Sequence, residues 1–370
     1  MLTRVFKTRL AAIAVCLSLI LILPASAHAW GMEGHRIIAR IAANYLKSQA
    51  RAEVIILLRT AIRNGPVYYQ ENCPNVLTLS RKKLLTKTEE DKFLVEGMAC
   101  IAPWPDPPVK AQRRYTSNWH FVDIPVVMSN AGGSAPLRFK YEPGRDCVMT
   151  EKDGDCAAQA LMRLQAVLGN KKIPNQKDDM YREELTSRAE ALIFFVHIVG
   201  DIHQPLHCVT DKSDKKAVDN PRDIGDMGGN LKIATWFGVD QTPYGPMNLH
   251  SIWDTGIITQ TLKDQKITEA QYYRNLLNAI PAQGSTDLSE MQKGNFFEWF
   301  EESYDLAVSK AYGELPKLDA KCVVEGKNGK LKGCYRLADD YYNTNRGIVD
   351  HQLILGGVRL GRLLNELLGK

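Results

Sequence analysis

Two segments of this chain place a histidine four residues before an aspartate. One is His197-Ile-Val-Gly-Asp201, which runs on into Ile-His203-Gln-Pro-Leu-His207; the other is His250-Ser-Ile-Trp-Asp254. On a helix that spacing stacks the two side chains on one face, with Cβ atoms roughly 5–6 Å apart. Imidazole and carboxylate together suit a divalent metal, zinc in particular. Two such pairs, with His207 just past a helix-ending Pro205, offer ligands for more than one ion. Asp106 in Ala102-Pro-Trp104-Pro-Asp106 and His120 in Trp119-His120-Phe121-Val-Asp123 are further candidates. Taken alone, a loop Asp is ordinarily a turn or cap residue, and a His between aromatics is ordinarily core. Their combination carries the weight: of the seven histidines after residue 29, five (His35, His120, His197, His207, His250) fall in spaced motifs.

Another ligand lies near the start of the chain. Residues 1–29 open with Arg4, Lys7 and Arg9, continue as an apolar run from Leu10 to Leu23, and end Ala27-His28-Ala29. That is the pattern of a cleavable secretory signal, and the run is too short for a comfortable transmembrane helix. Cleavage after Ala29 leaves Trp30 first, in Trp30-Gly-Met-Glu-Gly-His35. A free α-amino group has a pKa of about 7.7–8, so a metal displaces its proton at neutral pH. With its own carbonyl oxygen the amine closes a five-membered chelate, and His35 follows closely enough to join the same ion.

Composition bounds the rest. The chain after residue 29 is long enough to bury a large core. Loss of three basic residues with the signal lowers the formal charge from +5 to +2, which is no basic nucleic-acid footprint. Attraction for a polyanion must then come from a local site, and bound metals supply it. Of eight cysteines, Cys16 leaves with the signal. Cys147/Cys156 and Cys322/Cys334 flank Asp-Gly and Asn-Gly turns and read as disulfides of an exported protein; Cys73/Cys100 is the remaining plausible pair. Cys208 is left over, as a zinc thiolate or, the favoured reading, a buried free thiol.

Apolar spacing and flanking Gly or Pro predict helices over 34–47, 50–63, 156–169, 182–203, 248–262, 268–279, 295–313 and 346–368. Short strands are expected at 231–238 and on either side of Asn328-Gly329. The stretches 64–92, 128–155 and 210–230 read as surface loops. No linker divides the chain, so the expected architecture is a mainly α, single-domain helical bundle (residues 30–370) with short hairpins and disulfide-bridged loops.

The motifs taken together resemble the S-one/P-one family of secreted, trinuclear-zinc, single-strand-preferring nucleases. The resemblance runs through Trp30…His35, Trp104-Pro-Asp106, His120-Phe121-Val-Asp123, His197-x3-Asp201-x-His-Gln-Pro-Leu-His207, Gly228-Gly229-Asn230 and Asn248-Leu-His250-x3-Asp254. It continues through Trp299-x2-Glu302-Ser303 and Gly357-Val-Arg359 to Leu364-Asn365. It implies a helical bundle of the zinc phospholipase C/nuclease type and three Zn2+ ions. One ion takes Asp106, His120, His197 and Asp201. A second takes the Trp30 amine and carbonyl, His35 and the other oxygen of Asp201. The third takes His207, His250 and Asp254.

The implied activity is hydrolysis of phosphodiester bonds in single-stranded DNA and RNA to 5′-phosphate products, with 3′-nucleotidase activity on nucleotides. Zinc lowers the pKa of bound water to about 7, supplying the nucleophile. The resemblance gives catalytic roles to Asp201 and to Asp123 beside the scissile phosphate, and substrate binding to Phe121 and Asn230, Phe121 by stacking on a base. A secreted or periplasmic monomer without stable membrane association is expected. One departure is that an Arg common in the family, three residues past the loop Asp, is Val109 here, with Lys110, Arg113 or Arg114 as substitutes. Apparent extra loops at 64–95 and 130–180 distinguish the chain from shorter fungal members. Two other classes stand beside the nuclease: a zinc phospholipase C, which shares most ligands but typically ends its last motif in Glu rather than Asp254, and a non-catalytic zinc module, disfavoured because the ligands leave coordination positions open.

Overall fold

The computed structural model describes residues 30–369 apart from 64, 66, 107–108, 110–112, 129–134, 148–154, 172–186, 214–224 and 327–328. The signal-like segment 1–29, Lys110 and the Asp153-Gly154 turn therefore lie outside the described residues.

The fold is built around one helix, Arg188–Asp201, whose sequence is apolar on every face. A helix hydrophobic all round has to be enclosed, and every residue of it from Ala191 to Asp201 is buried. Its neighbours are the helices Met32–Asn44, Ser48–Arg63, Ala157–Leu168 and the 30-residue C-terminal helix Asp339–Leu368. Close approach relies on small residues: a Cβ on Gly357 of the C-terminal helix would lie 2.5 Å from Ile41 Cβ.

The predicted helices are present among the described residues, that at 182–203 as Arg188–Asp201 with 182–186 outside them, and three further differences stand out. The C-terminal helix starts at Asp339 rather than 346. The segments expected as unbroken helices at 248–262 and 295–313 contain wider, π-type turns at Ile252–Gly256 and Ala307–Tyr312. The stretch 64–92, expected as a loop, instead carries the short helices Val67–Asn72 and Pro74–Arg81 and the start of Lys87–Ile101. That last helix begins at a capping box in which Thr86 Oγ1 accepts from Glu89 N–H and the Glu89 carboxylate accepts from Thr86 N–H. Its apolar residues bunch at Phe93–Leu94 and Met98–Ile101, which hid the helical period; packing against Met32–Asn44 supplies its stability.

Strands are short. Pro125–Val127 pairs antiparallel with Leu137–Arg138 and parallel with Thr210–Asp211. Ala234–Trp236 lies parallel to Gly329–Leu337, which forms the expected hairpin with Asp319–Gly326. The three disulfides are Cys73–Cys100, Cys147–Cys156 and Cys322–Cys334, each of a kind that stabilises by about 2–4 kcal/mol. Cys208 is a buried free thiol. No helix among the described residues is long and apolar enough to cross a membrane.

Candidate metal centre

His197 and Asp201 both come from the last turn and a half of the enclosed central helix, where charge is costly unless paired. Neither side chain is exposed to solvent, and their Nε2 and Oδ2 atoms are 3.3 Å apart. The helix Met32–Asn44 supplies His35, whose ring stacks on His197 at 3.9 Å between centroids. Gly200 makes room for that stack, because a Cβ there would lie 2.9 Å from His35 Nδ1. His120 ends the short helix Arg114–His120 and turns Nδ1 to within 2.9 Å of Asp201 Oδ2 and 2.9 Å of His197 Nε2. Asp106, from the turn after Lys87–Ile101, stands 3.8 Å from His197 Nε2 and 4.0 Å from His120 Nδ1.

Asp201 is shared. Its Oδ2 faces His120 and His197, whereas Oδ1 lies 3.2 Å from His35 Nε2. Burial alone would raise this carboxyl, but the imidazoles of His197, His120 and His35 around it outweigh burial and hold it well below the usual carboxylate range. Burial and the neighbouring His197 push the His35 imidazole down to about 4, so it is a neutral donor.

The third group is His207, His250 and Asp254. Pro205 breaks the central helix and starts a tight turn that ends at Cys208. His250 and Asp254 lie across the π-type turn, a departure common at functional sites, with His250 Nε2 3.4 Å from Asp254 Oδ2 and His207 Nε2 3.7 Å from Asp254 Oδ1. Burial pushes the Asp254 carboxyl up to about 7. Thus the described residues contain three groups able to hold a metal ion: His35–Asp106–His197, His120–His197–Asp201 and His207–His250–Asp254.

The outward nitrogens decide the tautomers. His197 Nδ1 donates to the Ala102 carbonyl (2.7 Å), His207 Nδ1 to the His120 carbonyl (2.6 Å) and His250 Nδ1 to the Gly228 carbonyl (2.7 Å). A carbonyl can only accept, so each Nδ1 carries the proton and each Nε2 offers its lone pair to the interior. His207 Nε2 and Asp201 Oδ1 are buried without a hydrogen bond. Orphaned acceptors of this kind, in an imidazole–carboxylate set, fit a divalent cation.

Supporting residues explain parts of the sequence that carried no assigned chemistry. Gln204 donates to Asp254 Oδ1 (2.6 Å) while its own oxygen accepts from Leu206 N–H. Gly228 and Gly229 have φ of +60° and +82°; a Cβ on Gly228 would fall 2.2 Å from the Leu206 carbonyl oxygen. His203 donates to the Val199 carbonyl and sits against Arg359, which pairs with Glu302 and lies over Trp299. Ser303 donates to the Ile202 carbonyl. The Trp-x2-Glu-Ser and Gly-Val-Arg motifs therefore brace the segment that carries His197, Asp201 and His207. Cys208 Sγ–H donates weakly to Ile202 O and burial pushes the thiol up, so the thiolate reading is set aside.

The remaining sequence candidates are placed as follows. Trp30 is fully buried, and the Gly31 N–H next to it donates to the Asp254 carbonyl (2.8 Å), which brings the two chain regions together. Phe121 is half-buried and, among the described residues, outside both the packed core and the aromatic pairs. Asp123 is half-buried; burial, opposed by Lys212 and reinforced by Asp146 and Asp226, pushes its carboxyl up to about 7. Asn230 spends its side-chain amide on the Met227 carbonyl (2.8 Å). Val109 is buried in the core, so the family cation is replaced there by packing, and Arg113 is engaged by Glu190 and the Trp104 face.

An enclosed helical scaffold presenting three adjoining imidazole–carboxylate groups is an arrangement suited to binding divalent metal ions. Comparison with known proteins narrows it. The S1/P1 nuclease family model matches residues 30–369. Endonuclease 4 of Arabidopsis thaliana is 28% identical over 350 residues, spanning 91% of this chain and 89% of that protein. Nuclease P1 of Penicillium citrinum is 22% identical over 280 residues, spanning 74% and 85% respectively. The chain belongs to the S1/P1 nuclease family. It is a hydrolase acting as a nuclease, and the phospholipase C reading is not favoured.

Proposed function

We propose that this protein is an exported, zinc-dependent endonuclease that cuts single-stranded DNA and RNA to 5′-phosphate products and removes 3′-phosphates from nucleotides. The observation that carries the metal reading is the Asp201 carboxylate, whose two oxygens face separate imidazole groups. In this reading Asp106, His120, His197 and Asp201 hold one ion, Trp30 through its freed amine and carbonyl together with His35 and Asp201 a second, and His207, His250 and Asp254 a third. Bound zinc would supply Lewis acidity to the phosphate and to the attacking water. The chain's own residues do the rest: buried carbonyls fix the imidazole tautomers, Gln204 holds Asp254, and the apolar shell excludes bulk water.

Phe121 offers a base a ring face that the core does not use, and stacking there tolerates any base. Asp123, with a carboxyl near neutrality, orients water or phosphate, and Asn230 contacts the substrate through its remaining amide oxygen. The opening segment 1–29 acts as a secretory signal, its removal freeing Trp30, and the three disulfides suit an oxidising compartment; the enzyme works as a monomer. Incubating the metal-loaded protein beginning at Trp30 with single-stranded DNA, RNA, a 3′-nucleotide and phosphatidylcholine tests the proposal. Cleavage of the first three, dependent on zinc, is expected; turnover of phosphatidylcholine alone would refute it.

A further inference from the structure

Next to the third metal-capable group lies a buried charged cluster that the reaction does not touch. Lys232 Nζ is 2.8 Å from Asp211 Oδ2 and 3.6 Å from Asp226 Oδ2, and it sits over the Tyr312 ring, 5.2 Å from the centroid. The Tyr312 hydroxyl donates to Asp226 (2.9 Å to Oδ2), and Asp226 Oδ1 accepts from the Asp211 N–H (2.8 Å). All four residues are buried. An ammonium so placed is tolerated only when paired, and removing one member of such a set leaves an uncompensated charge.

The chain between Asp226 and Lys232 is a tight loop with an unusual backbone. Met227, Gly228 and Gly229 have φ of +56°, +60° and +82°; the glycines adopt this freely, but at Met227 it costs free energy unless the surroundings impose it. The loop closes on itself through Leu231 N–H to Asp226 O and Lys232 N–H to Gly229 O. At its apex the Gly228 carbonyl accepts the His250 Nδ1 proton at 2.7 Å. Lys232 is tied to the same helix start, since its carbonyl accepts from Leu249 N–H at 3.0 Å.

We propose that Lys232 is a positioning residue for the third ion: by tying Asp211 to Asp226 it holds the left-handed loop that presents the Gly228 carbonyl, and so keeps His250 with Nε2 toward Asp254. The inference rests on the reading of His207, His250 and Asp254 as a metal site. Partners that orient a metal-bound imidazole typically contribute about 10–100-fold in metal affinity.

The test compares the protein beginning at Trp30 in its wild-type, Lys232→Met and Lys232→Arg forms with the double variant Asp226→Asn/Lys232→Met, which removes one charge of each sign. Zinc is titrated in each against a buffered free-zinc series. The nitrogen resonances of His250 are read in the metal-free proteins, where an Nδ1 proton held by Gly228 gives a single tautomer. Lys232→Met and the double variant should lose affinity for one ion by about 10–100-fold, keep the other two, and show mixed His250 tautomers; Lys232→Arg should recover most of both signals. Unchanged third-ion affinity with a single His250 tautomer, in either folded variant, overturns the proposal. Equal weakening of all three ions would also overturn it, because that is loss of the fold rather than of one site's orientation. Should the wild type bind no ion at this group, the metal reading fails, and the metal-free His250 signal still decides whether Lys232 holds the loop.

Discussion

His35 Nε2 lies 3.2 Å from Asp201 Oδ1, on the opposite side of the carboxylate from His120 and His197. The two residues are 166 positions apart only in sequence numbering; in the fold the N-terminal helix crosses the central helix at Gly200, and the stacked His35 and His197 rings fix the crossing. One buried carboxylate is thereby placed between imidazoles from three separate chain segments.

Asp201→Asn should remove charge from both sides of that carboxylate at once. The expected result is a folded protein that loses two of its three zinc ions and hydrolyses single-stranded DNA at background rate. Metal analysis beside a digestion assay checks it, and near-normal activity with full zinc content would contradict the shared-carboxylate reading.

Phe121→Ala should weaken binding of single strands and nucleotides by about 1–3 kcal/mol, the usual worth of one stacked base, with metal content unchanged. Because Phe121 lies outside the packed core, thermal stability should hardly move. Equal affinity for oligonucleotides before and after the substitution would make the ring a packing residue after all.

A tag or extra Met before Trp30 should cost one zinc ion and most of the activity while the helical core still folds. An amide nitrogen in a continuing chain is a poor ligand at neutral pH, and the Trp30 side chain is buried and packed on Gly34, where a Cβ would lie 2.9 Å from Trp30 Cβ. Proteolytic removal of the extension should restore both properties. Identical zinc content in the two forms would exclude the terminal amine.

Asp123 makes a signed pH prediction. Its carboxyl is raised from the ordinary 3.8 to about 7 by burial, so the folded state carries a proton that the unfolded state has lost between those values. Folding stability from this group therefore falls as pH rises through that window, whereas the ionised form, which in the proposed function orients water, accumulates only above it. Urea melts of Asp123→Asn should lack this component of the pH dependence, and its rate profile should lose the limb near pH 7. A limb of the same height and midpoint in the variant would assign it to another group.

The sequence by itself determined the local part of this protein. The i,i+4 pairs His197/Asp201 and His250/Asp254 needed only helical geometry, the Cys147/Cys156 and Cys322/Cys334 pairs needed only short loops, and the motif order was enough to recognise the family. What the tertiary structure decided is everything set by contacts between distant segments. His197 finds its tautomer in the Ala102 carbonyl and His250 in the Gly228 carbonyl, and backbone acceptors leave no mark in residue identity. Gly228-Gly229 offers no side-chain chemistry to read because its function is conformational, a positive φ that delivers one carbonyl. The helix Lys87–Ile101 shows no local period because its apolar residues bunch rather than recur, so that its face exists only once Met32–Asn44 is there to cover it. The same holds for the exchange of the expected family Arg for Val109: its burial and the pairing of Arg113 with Glu190 depend on a packed environment that no local pattern encodes.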